Sequence, residues 1–255
     1  MTLGFKVVIP ARYASTRLPG KPLLEIAGEP MIAHVCRRAL AAKAEQVVVA
    51  TDDQRIFDAV NQLGIQAVMT GVHHQSGTER IAEVAERLGW QAQDIVVNLQ
   101  GDEPLIPPAY INDVAQALAE QQLAGIATLA ARIKDPQEIF NPHAVKVVLD
   151  KQQYALYFSR AAIPWVRAVF PDNLPAYAAF TGTHLRHIGI YAYTVGFLQD
   201  YCRWPASELE SVEALEQLRI LWQGEKIRVA IVPETPEAGV DTEEDLIRVS
   251  RRLQG

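Results

Sequence analysis

The sequence predicts an α/β fold: a Rossmann-like, mostly parallel sheet with helices on both faces and an irregular insertion or lobe. Short apolar runs such as 5–10, 46–51 and 94–100 recur along the chain, and several are apolar throughout, which is typical of parallel strands buried on both faces. Helical patterns lie between these runs. This alternation favours right-handed strand–helix–strand units and hence a parallel sheet.

The boundaries of the predicted elements carry the residues that usually mark them. Strands are predicted at 5–10, 46–51, 65–69, 94–100, 125–133, 144–150, 187–194 and 227–232, and helices at 30–43, 54–64, 77–89, 107–121 and 213–227. Proline opens the helices at 30–43 and 107–121, and glycine ends those at 54–64 and 77–89. Thr78 is the candidate N-cap of the third helix.

Composition bounds the class of protein. With 255 residues, 49% of them hydrophobic, the chain can bury a sizeable core, and we expect one domain over 1–255. A net charge of −6 argues against a nucleic-acid partner. The sequence has no run of 18 apolar residues and no signal-peptide core, so the predicted location is cytoplasmic, without a membrane partner. Cys36 and Cys202 lack the spacing of a disulfide framework or a zinc site.

The stretch 160–185 interrupts the strand–helix alternation. It holds three prolines and four aromatic residues and shows weak periodicity. We therefore expect an insertion or lobe around 150–200, which serves either as a substrate lid or as a subunit contact. Trp165 and Phe170 are candidates for that contact surface.

A basic loop follows the first predicted strand. Residues 9–23 contain Arg12, Arg17 and Lys21 but no acid. In a doubly wound sheet this loop lies at the carboxyl edge, where ligands bind, and its cations suit a polyphosphate. A Walker A loop is excluded because Ser15 replaces its first glycine and Pro22 its Ser/Thr. The alternative is a solvated loop with ordinary surface cations.

Two carboxylates are candidates for a magnesium site. Gln100, Asp102 and Glu103 lie at the end of a predicted strand, and a carboxylate there can reach the same sheet edge as the basic loop. The alternative for Asp102 is a turn or a helix cap. Asp241 precedes a helix whose first turn is acidic, so from spacing alone Asp241 or Thr242 is the N-cap of that helix.

Other polar residues have ordinary structural explanations when each is taken alone. His73 and His74 are adjacent and would not share a helical face, which disfavours a metal site. A lone histidine such as His187 is usually structural. Glu216 and Gln217 lie in a predicted amphipathic helix, where such residues normally face solvent.

Six segments in order resemble the sugar-nucleotide cytidylyltransferases, above all the branch that activates 3-deoxy-manno-octulosonate (Kdo). They are "PARYASTRLPGKPL", "HQSGTERIAEV", "VNLQGDEPLI", "RHIGIYAY", "EALEQLRIL" and "GVDTEEDL". The resemblance extends nearly from end to end. The basic loop itself is shared with related sialate-activating enzymes, so the order of all six segments favours the Kdo branch.

The resemblance implies a role for particular residues. Lys21, Asp102 and Arg17 would be catalytic, and Asp102 and Asp241 would bind Mg²⁺. The nucleotide contacts would be Ala11, Arg12, Lys21, Ser76, Thr78, Arg80 and Gln100. The sugar contacts would be Gln100, Arg160, His187, Glu216 and Gln217.

The activity implied by the resemblance is transfer of CMP from CTP to Kdo, with release of pyrophosphate, for the lipopolysaccharide core. The implied cofactor is Mg²⁺ and the implied assembly is a homodimer. Two alternatives remain open from the residues. One is a cytidylyltransferase for another sugar acid, sialate-like or an amino-Kdo, and the other is a non-catalytic nucleotide-binding regulator.

Overall fold

The computed structural model describes residues 3–14, 18–74, 76–167, 170 and 182–254. Its α-helices are α1 (Met31–Ala41), α2 (Gln54–Gln62), α3 (Gly77–Arg87), α4 (Pro108–Ala119), α5 (Val195–Tyr201), α6 (Glu208–Glu213), α7 (Leu218–Trp222) and α8 (Glu243–Gln254). Its strands are β1 (Lys6–Ala11), β2 (Glu25–Ile26), β3 (Glu29–Pro30), β4 (Gln46–Thr51), β5 (Gln66–Met69), β6 (Ile95–Asn98), β7 (Ile126–Arg132), β8 (Lys146–Leu149), β9 (Ala155–Ser159), β10 (Leu185–Thr194) and β11 (Ile227–Val232). Short 3₁₀ helices occupy Lys21–Leu23 and Pro136–Phe140.

A central sheet runs in the order β11-β7-β10-β6-β1-β4-β5, and β8 and β9 extend it beside β10. β1 is parallel to β4 and β6, β4 is parallel to β5, and β7 is parallel to β11. β10 runs antiparallel between β6 and β7. The predicted mostly parallel α/β sheet is therefore confirmed, with one reversed strand near its centre.

Helices cover both faces of this sheet, as predicted. Helices α1, α2 and α4 pack on one face through apolar residues such as Val35, Ile56 and Ile111. Helices α3, α5 and α7 pack on the other face through residues such as Val84 and Leu198. Among the described residues, no helix is long and apolar enough to cross a lipid bilayer; even α4 and α8 have only 12 residues each.

Two local predictions are wrong. The N-cap of α3 is Ser76, whose hydroxyl accepts a hydrogen bond from the backbone of Glu79, and Thr78 lies inside the first turn. The helix predicted at 213–227 is confined to α7 at Leu218–Trp222, since α6 already ends at Glu213. The break falls at Ala214, which adopts the left-handed conformation with φ 50°, so the residues after it change direction.

Part of the predicted lobe lies within the described residues. It begins with β9 and ends with β10, and Phe170 packs on Ile133 and Ile139. Residues 168–169 and 171–181 of the predicted lobe lie outside the described residues. The single-domain boundary at 1–255 and the lobe's lid or contact role stay predictions.

The strand order explains where a ligand would bind. The chain builds β1, β4 and β5 outward on one side and then crosses to place β6 on the other side of β1. A crevice opens outside the carboxyl ends of strands at such a topological switch point. Here it lies between Arg12, which follows β1, and Gln100, which follows β6.

Candidate active site

Two adjoining cavities lie at this switch point. The tyrosine cavity, about 250 Å³, is lined by residues that include Tyr191, Tyr193 and Tyr201. The aspartate cavity, about 410 Å³, is lined by residues that include Asp102 and Asp241. Both cavities share the wall residues Pro10, Ala11, Arg12 and Gln100. The two therefore form one cleft along the carboxyl ends of β1 and β6.

Lys21 lies between the two carboxylates in the aspartate cavity. Its Nζ donates to Asp102 Oδ2 at 2.7 Å and to Asp241 Oδ1 at 3.0 Å. Its side chain is only 12% exposed, and it opens the 3₁₀ helix Lys21–Leu23. Residues from three distant parts of the chain thus meet at one charged point.

Close backbone packing brings Asp102 and Asp241 together. The backbone N–H of Val240 donates to the carbonyl of Asp102 at 2.9 Å. A Cβ on Gly239 would lie 2.6 Å from that same carbonyl oxygen, and one on Gly101 would lie 2.9 Å from the carbonyl oxygen of Pro10. Glycine is required at both positions because neither gap has room for a side chain.

The electrostatics of the aspartate cavity favour a cation. Burial alone would lower the pKa of Lys21, but the charges and hydrogen bonds of Asp102 and Asp241 outweigh it and raise that pKa. Burial and the charges of the same two aspartates raise the pKa of Glu103 to about 8. The negative charge of Asp102 and Asp241 therefore acts on both Lys21 and Glu103, and the Lys21 ammonium offsets part of that charge.

The donor chemistry fits magnesium. Within the described ranges, no group of three or more His, Cys, Asp or Glu side chains forms a metal site by itself. Asp102 and Asp241 nevertheless present carboxylate oxygens at a cavity edge, and Mg²⁺ commonly takes one or two carboxylates plus substrate phosphates and water. The predicted magnesium role of these two residues stays a prediction.

Helix α3 supplies one wall of the tyrosine cavity. Ser76, Thr78 and Arg80 all line it, and their predicted nucleotide contacts stay predictions. The guanidinium of Arg80 is 4% exposed, and its Nη2 donates to Asp52 Oδ2 at 2.7 Å, while Nη1 donates to Thr70 Oγ1. Arg80 therefore fixes the start of α3 against the loop after β4, besides facing the cavity.

The three tyrosines and Asn98 are cavity residues that the sequence reasoning missed. Tyr191 and Tyr193 come from the antiparallel strand β10, and Tyr201 ends α5. Burial raises the pKa of each phenol, so each stays a neutral hydroxyl at neutral pH. The alternating tyrosines of "YAY" were a usable signal, because alternate residues of a strand face the same side.

Glu216 and Gln217 line the tyrosine cavity from the opposite side. Gln217 is 6% exposed, and its Nε2 has no hydrogen-bond partner among the described residues. Desolvation, followed by the charge of Glu210, raises the pKa of Glu216. A buried amide donor without an acceptor is costly, so its position in a cavity wall points to a ligand acceptor.

Two predicted site residues with described positions, His187 and Arg160, do not line either cavity. His187 accepts or donates a hydrogen bond with Thr128 Oγ1 at 3.0 Å, and desolvation lowers its pKa to about 3. Arg160 donates to backbone carbonyls of Pro142, Glu213 and Ala214. Arg17 lies outside the described residues. Their proposed catalytic and sugar roles stay predictions.

Comparisons with known proteins identify the family of the chain. The family model described as Cytidylyltransferase matches residues 6–227. A 3-deoxy-manno-octulosonate cytidylyltransferase of Tolumonas auensis is 59% identical over 98% of this chain and 97% of that protein. The protein of the same name from Yersinia enterocolitica is 56% identical over 97% of each chain.

A solved structure of a related protein is similar to this chain in both sequence and fold. It is described as CMP:2-keto-3-deoxy-manno-octonic acid synthetase complexed with CTP, and it is 43% identical with a TM-score of 0.88 over 99% of each chain. The chain therefore belongs to the cytidylyltransferase family, as its sequence motifs predict, and within that family it is similar to the 3-deoxy-manno-octulosonate cytidylyltransferases.

Proposed function

We propose that the protein transfers CMP from CTP to Kdo and releases pyrophosphate. The observation that carries the proposal is the meeting of Lys21, Asp102 and Asp241 beside the tyrosine cavity. One half of the cleft is charged and suits a triphosphate, and the other half has aromatic and amide walls that suit a base or a sugar. The relatives of the chain support Kdo as the acceptor.

The reaction needs positioning and charge neutralisation more than covalent help from the chain. The anomeric hydroxyl of Kdo attacks the α-phosphorus of CTP, and the bond to pyrophosphate breaks in line. Arg12 lies in the wall common to both cavities, where a guanidinium can offset phosphate charge. Lys21 adds an ammonium at the aspartate end of the cleft.

Asp102 and Asp241 would hold Mg²⁺, the proposed cofactor. The ion would supply charge stabilisation and would lower the pKa of the attacking hydroxyl. Lys21 now donates to both carboxylates. Each of these hydrogen bonds uses one carboxylate oxygen, and the phosphates of CTP would offer the Lys21 ammonium further acceptors in the aspartate cavity.

The acceptor sugar acid would lie near Gln100, Glu216 and Gln217. Gln100 lines both cavities, so it can reach the point where a nucleotide phosphate meets an acceptor. The unpartnered amide of Gln217 supplies a donor for a sugar hydroxyl or carboxylate. A close analogue of Kdo remains the second candidate substrate, because both sugars would present similar groups here.

Homodimer formation, a cytoplasmic location and a role in lipopolysaccharide synthesis complete the proposal. Support for a dimer comes from β9, which pairs only with β8 among the described strands and carries Leu156 at 60% exposure. Trp165, in the predicted contact stretch, is 56% exposed. Light scattering after size-exclusion chromatography would measure the mass of the assembly. We expect about 56 kDa, twice the 28.2 kDa of one chain, and a mass of one chain would refute the dimer.

A coupled pyrophosphate-release assay tests the function. The purified protein is given CTP, Mg²⁺ and, in parallel, Kdo, an amino-Kdo and sialate. We expect release with Kdo at the highest kcat/KM. Release with another acid alone would favour the second candidate substrate, and CTP binding without release with any acid would favour the non-catalytic regulator.

A further inference from the structure

Glu213 connects two segments of the chain outside the cleft. It is the last residue of α6, and it is not among the described residues that line either cavity. Its Oε1 accepts from Ser159 Oγ at 2.6 Å, and its Oε2 accepts from the backbone N–H of Arg160 at 3.0 Å. The carboxylate therefore ties the end of α6 to the end of β9.

The side chain of Arg160 makes hydrogen bonds in the opposite direction, from β9 to the end of α6. Its Nε donates to the carbonyl of Glu213 at 2.7 Å, and its Nη2 donates to the carbonyl of Ala214 at 3.3 Å. Its Nη1 donates to the carbonyl of Pro142 at 2.9 Å. We call this reciprocal set of hydrogen bonds between 159–160 and 213–214 the β9 brace. It directs the guanidinium of Arg160 to backbone carbonyls.

The β9 brace holds a strained turn. Ala214 follows Glu213 and has φ 50° and ψ 53°, a left-handed conformation that costs a residue with a Cβ about 1–2 kcal/mol. Such a conformation persists only where the surrounding contacts determine it. Here those contacts include the bond from Arg160 to the carbonyl of Ala214 itself.

The residues after the turn are the ones that face the cleft. Glu216 and Gln217 line the tyrosine cavity directly beyond the turn at Ala214. Past them, Arg219 of α7 donates to both carboxylate oxygens of Glu210 in α6, at 2.8 and 2.6 Å. The two cavity residues are thus held between the β9 brace and the Arg219–Glu210 pair.

We propose that Glu213 and Arg160 are positioning residues that set the affinity for the acceptor sugar acid through Glu216 and Gln217. The proposal rests on the proposed function for the identity of that acceptor. It gives Arg160 a different role from the direct sugar contact that the sequence resemblance implies. The buried, unpartnered Nε2 of Gln217 is useful to a ligand only if the turn before it is fixed.

Kinetics with each substrate varied in turn test the proposal. Glu213→Ala removes both acceptors, and it should raise the KM for Kdo about tenfold while the KM for CTP stays within about twofold. Glu213→Gln keeps an acceptor for the N–H of Arg160, and the hydroxyl of Ser159 can turn to accept, so it should restore most of the affinity. Glu208→Ala, an exposed acid on the same helix, is the matched control and should behave as wild type.

A double-variant cycle separates positioning from direct contact. If Arg160 acts through the β9 brace, Arg160→Ala combined with Glu213→Ala should raise the KM for Kdo no more than the worse single variant. Additive losses would show that Arg160 contacts the sugar independently, and would overturn the proposal. A KM for Kdo that is unchanged in Glu213→Ala, or a KM for CTP that rises equally, would also overturn it.

Amide hydrogen exchange tests the β9 brace without any substrate. Glu213→Ala should speed exchange at residues 215–220 at least tenfold relative to Glu208→Ala, with little change in α4 on the other face of the sheet. Unchanged exchange there would refute the brace. If the wild type released no pyrophosphate with Kdo but exchange still increased, the brace would stand and the assigned acceptor would fall.

Discussion

Lys21 is the residue whose removal tests the proposed chemistry most directly. Its ammonium already makes two charged hydrogen bonds, at 2.7 and 3.0 Å, from a side chain that is 12% exposed. The geometry shows that Nζ can serve two anionic oxygens at once, and the same donors would serve phosphate oxygens in the complex with CTP. A hydrogen bond to a charged group contributes about 1.5–3 kcal/mol.

The expected loss of activity in Lys21→Ala is worked out from those two hydrogen bonds. If one contact of about 3 kcal/mol forms only as charge moves to the leaving pyrophosphate, Lys21→Ala should lower kcat about 10²-fold. Loss of the second contact, made equally in bound CTP, should lower kcat/KM by about another tenfold or more. Lys21→Arg should recover only part of the loss, because a planar guanidinium cannot occupy the place of a compact ammonium without moving the loop.

Steady-state kinetics with varied CTP, at saturating Kdo and Mg²⁺, measure both effects. Lys151→Ala, which removes an exposed lysine remote from the cleft lining, controls for loss of one positive charge. An unchanged kcat in Lys21→Ala with only a raised KM for CTP would show that Lys21 binds the ground state alone. The catalytic role proposed for it would then be wrong.

Three further predictions follow from the site and its surroundings. Asp102→Asn should keep the fold and lower turnover about 10²-fold, because that is the scale of losing one preorganised electrostatic group. Near-normal turnover at limiting Mg²⁺ would exclude Asp102 from the mechanism. Arg80 and Gln100, which the sequence resemblance places beside the nucleotide, both line the tyrosine cavity. If the base lies there in a pocket sized for a pyrimidine, CTP should be used well above ATP and GTP, with UTP rejected less completely. Equal use of ATP and CTP below saturation would contradict this assignment. The pKa of His187 is depressed from 6.5 to about 3, so its contribution to stability is present above pH 6.5 and is lost as pH falls toward 3. Between pH 7.5 and 5.0 the free energy of unfolding, measured by urea denaturation, should fall by about 2 kcal/mol through His187. The free energy of unfolding of His187→Gln should depend correspondingly less on pH. An equal pH dependence in both proteins would refute the assignment.

The sequence by itself determined the fold class and the family. Continuous apolar runs alternating with helical patterns are local properties of the chain, and parallel strands buried on both faces require them. The basic loop after β1 and the acids after β6 could be placed at one sheet edge because the carboxyl ends of parallel strands point the same way. The order of six motifs then predicted the cytidylyltransferase family, which the comparisons confirmed.

Other features were decided only by the tertiary structure. The bond from Lys21 to Asp241 joins residues 220 positions apart, and no local pattern specifies that approach. The tyrosines of β10 reach the cleft because that strand inserts antiparallel between β6 and β7, and strand direction is not encoded by apolar periodicity. The helix predicted at 213–227 begins only at Leu218, because Ala214 adopts a left-handed conformation, and Arg160, more than 50 residues earlier, donates to the carbonyls of that turn. Local propensity therefore set the elements, while contacts between distant segments determined which side chains face the site.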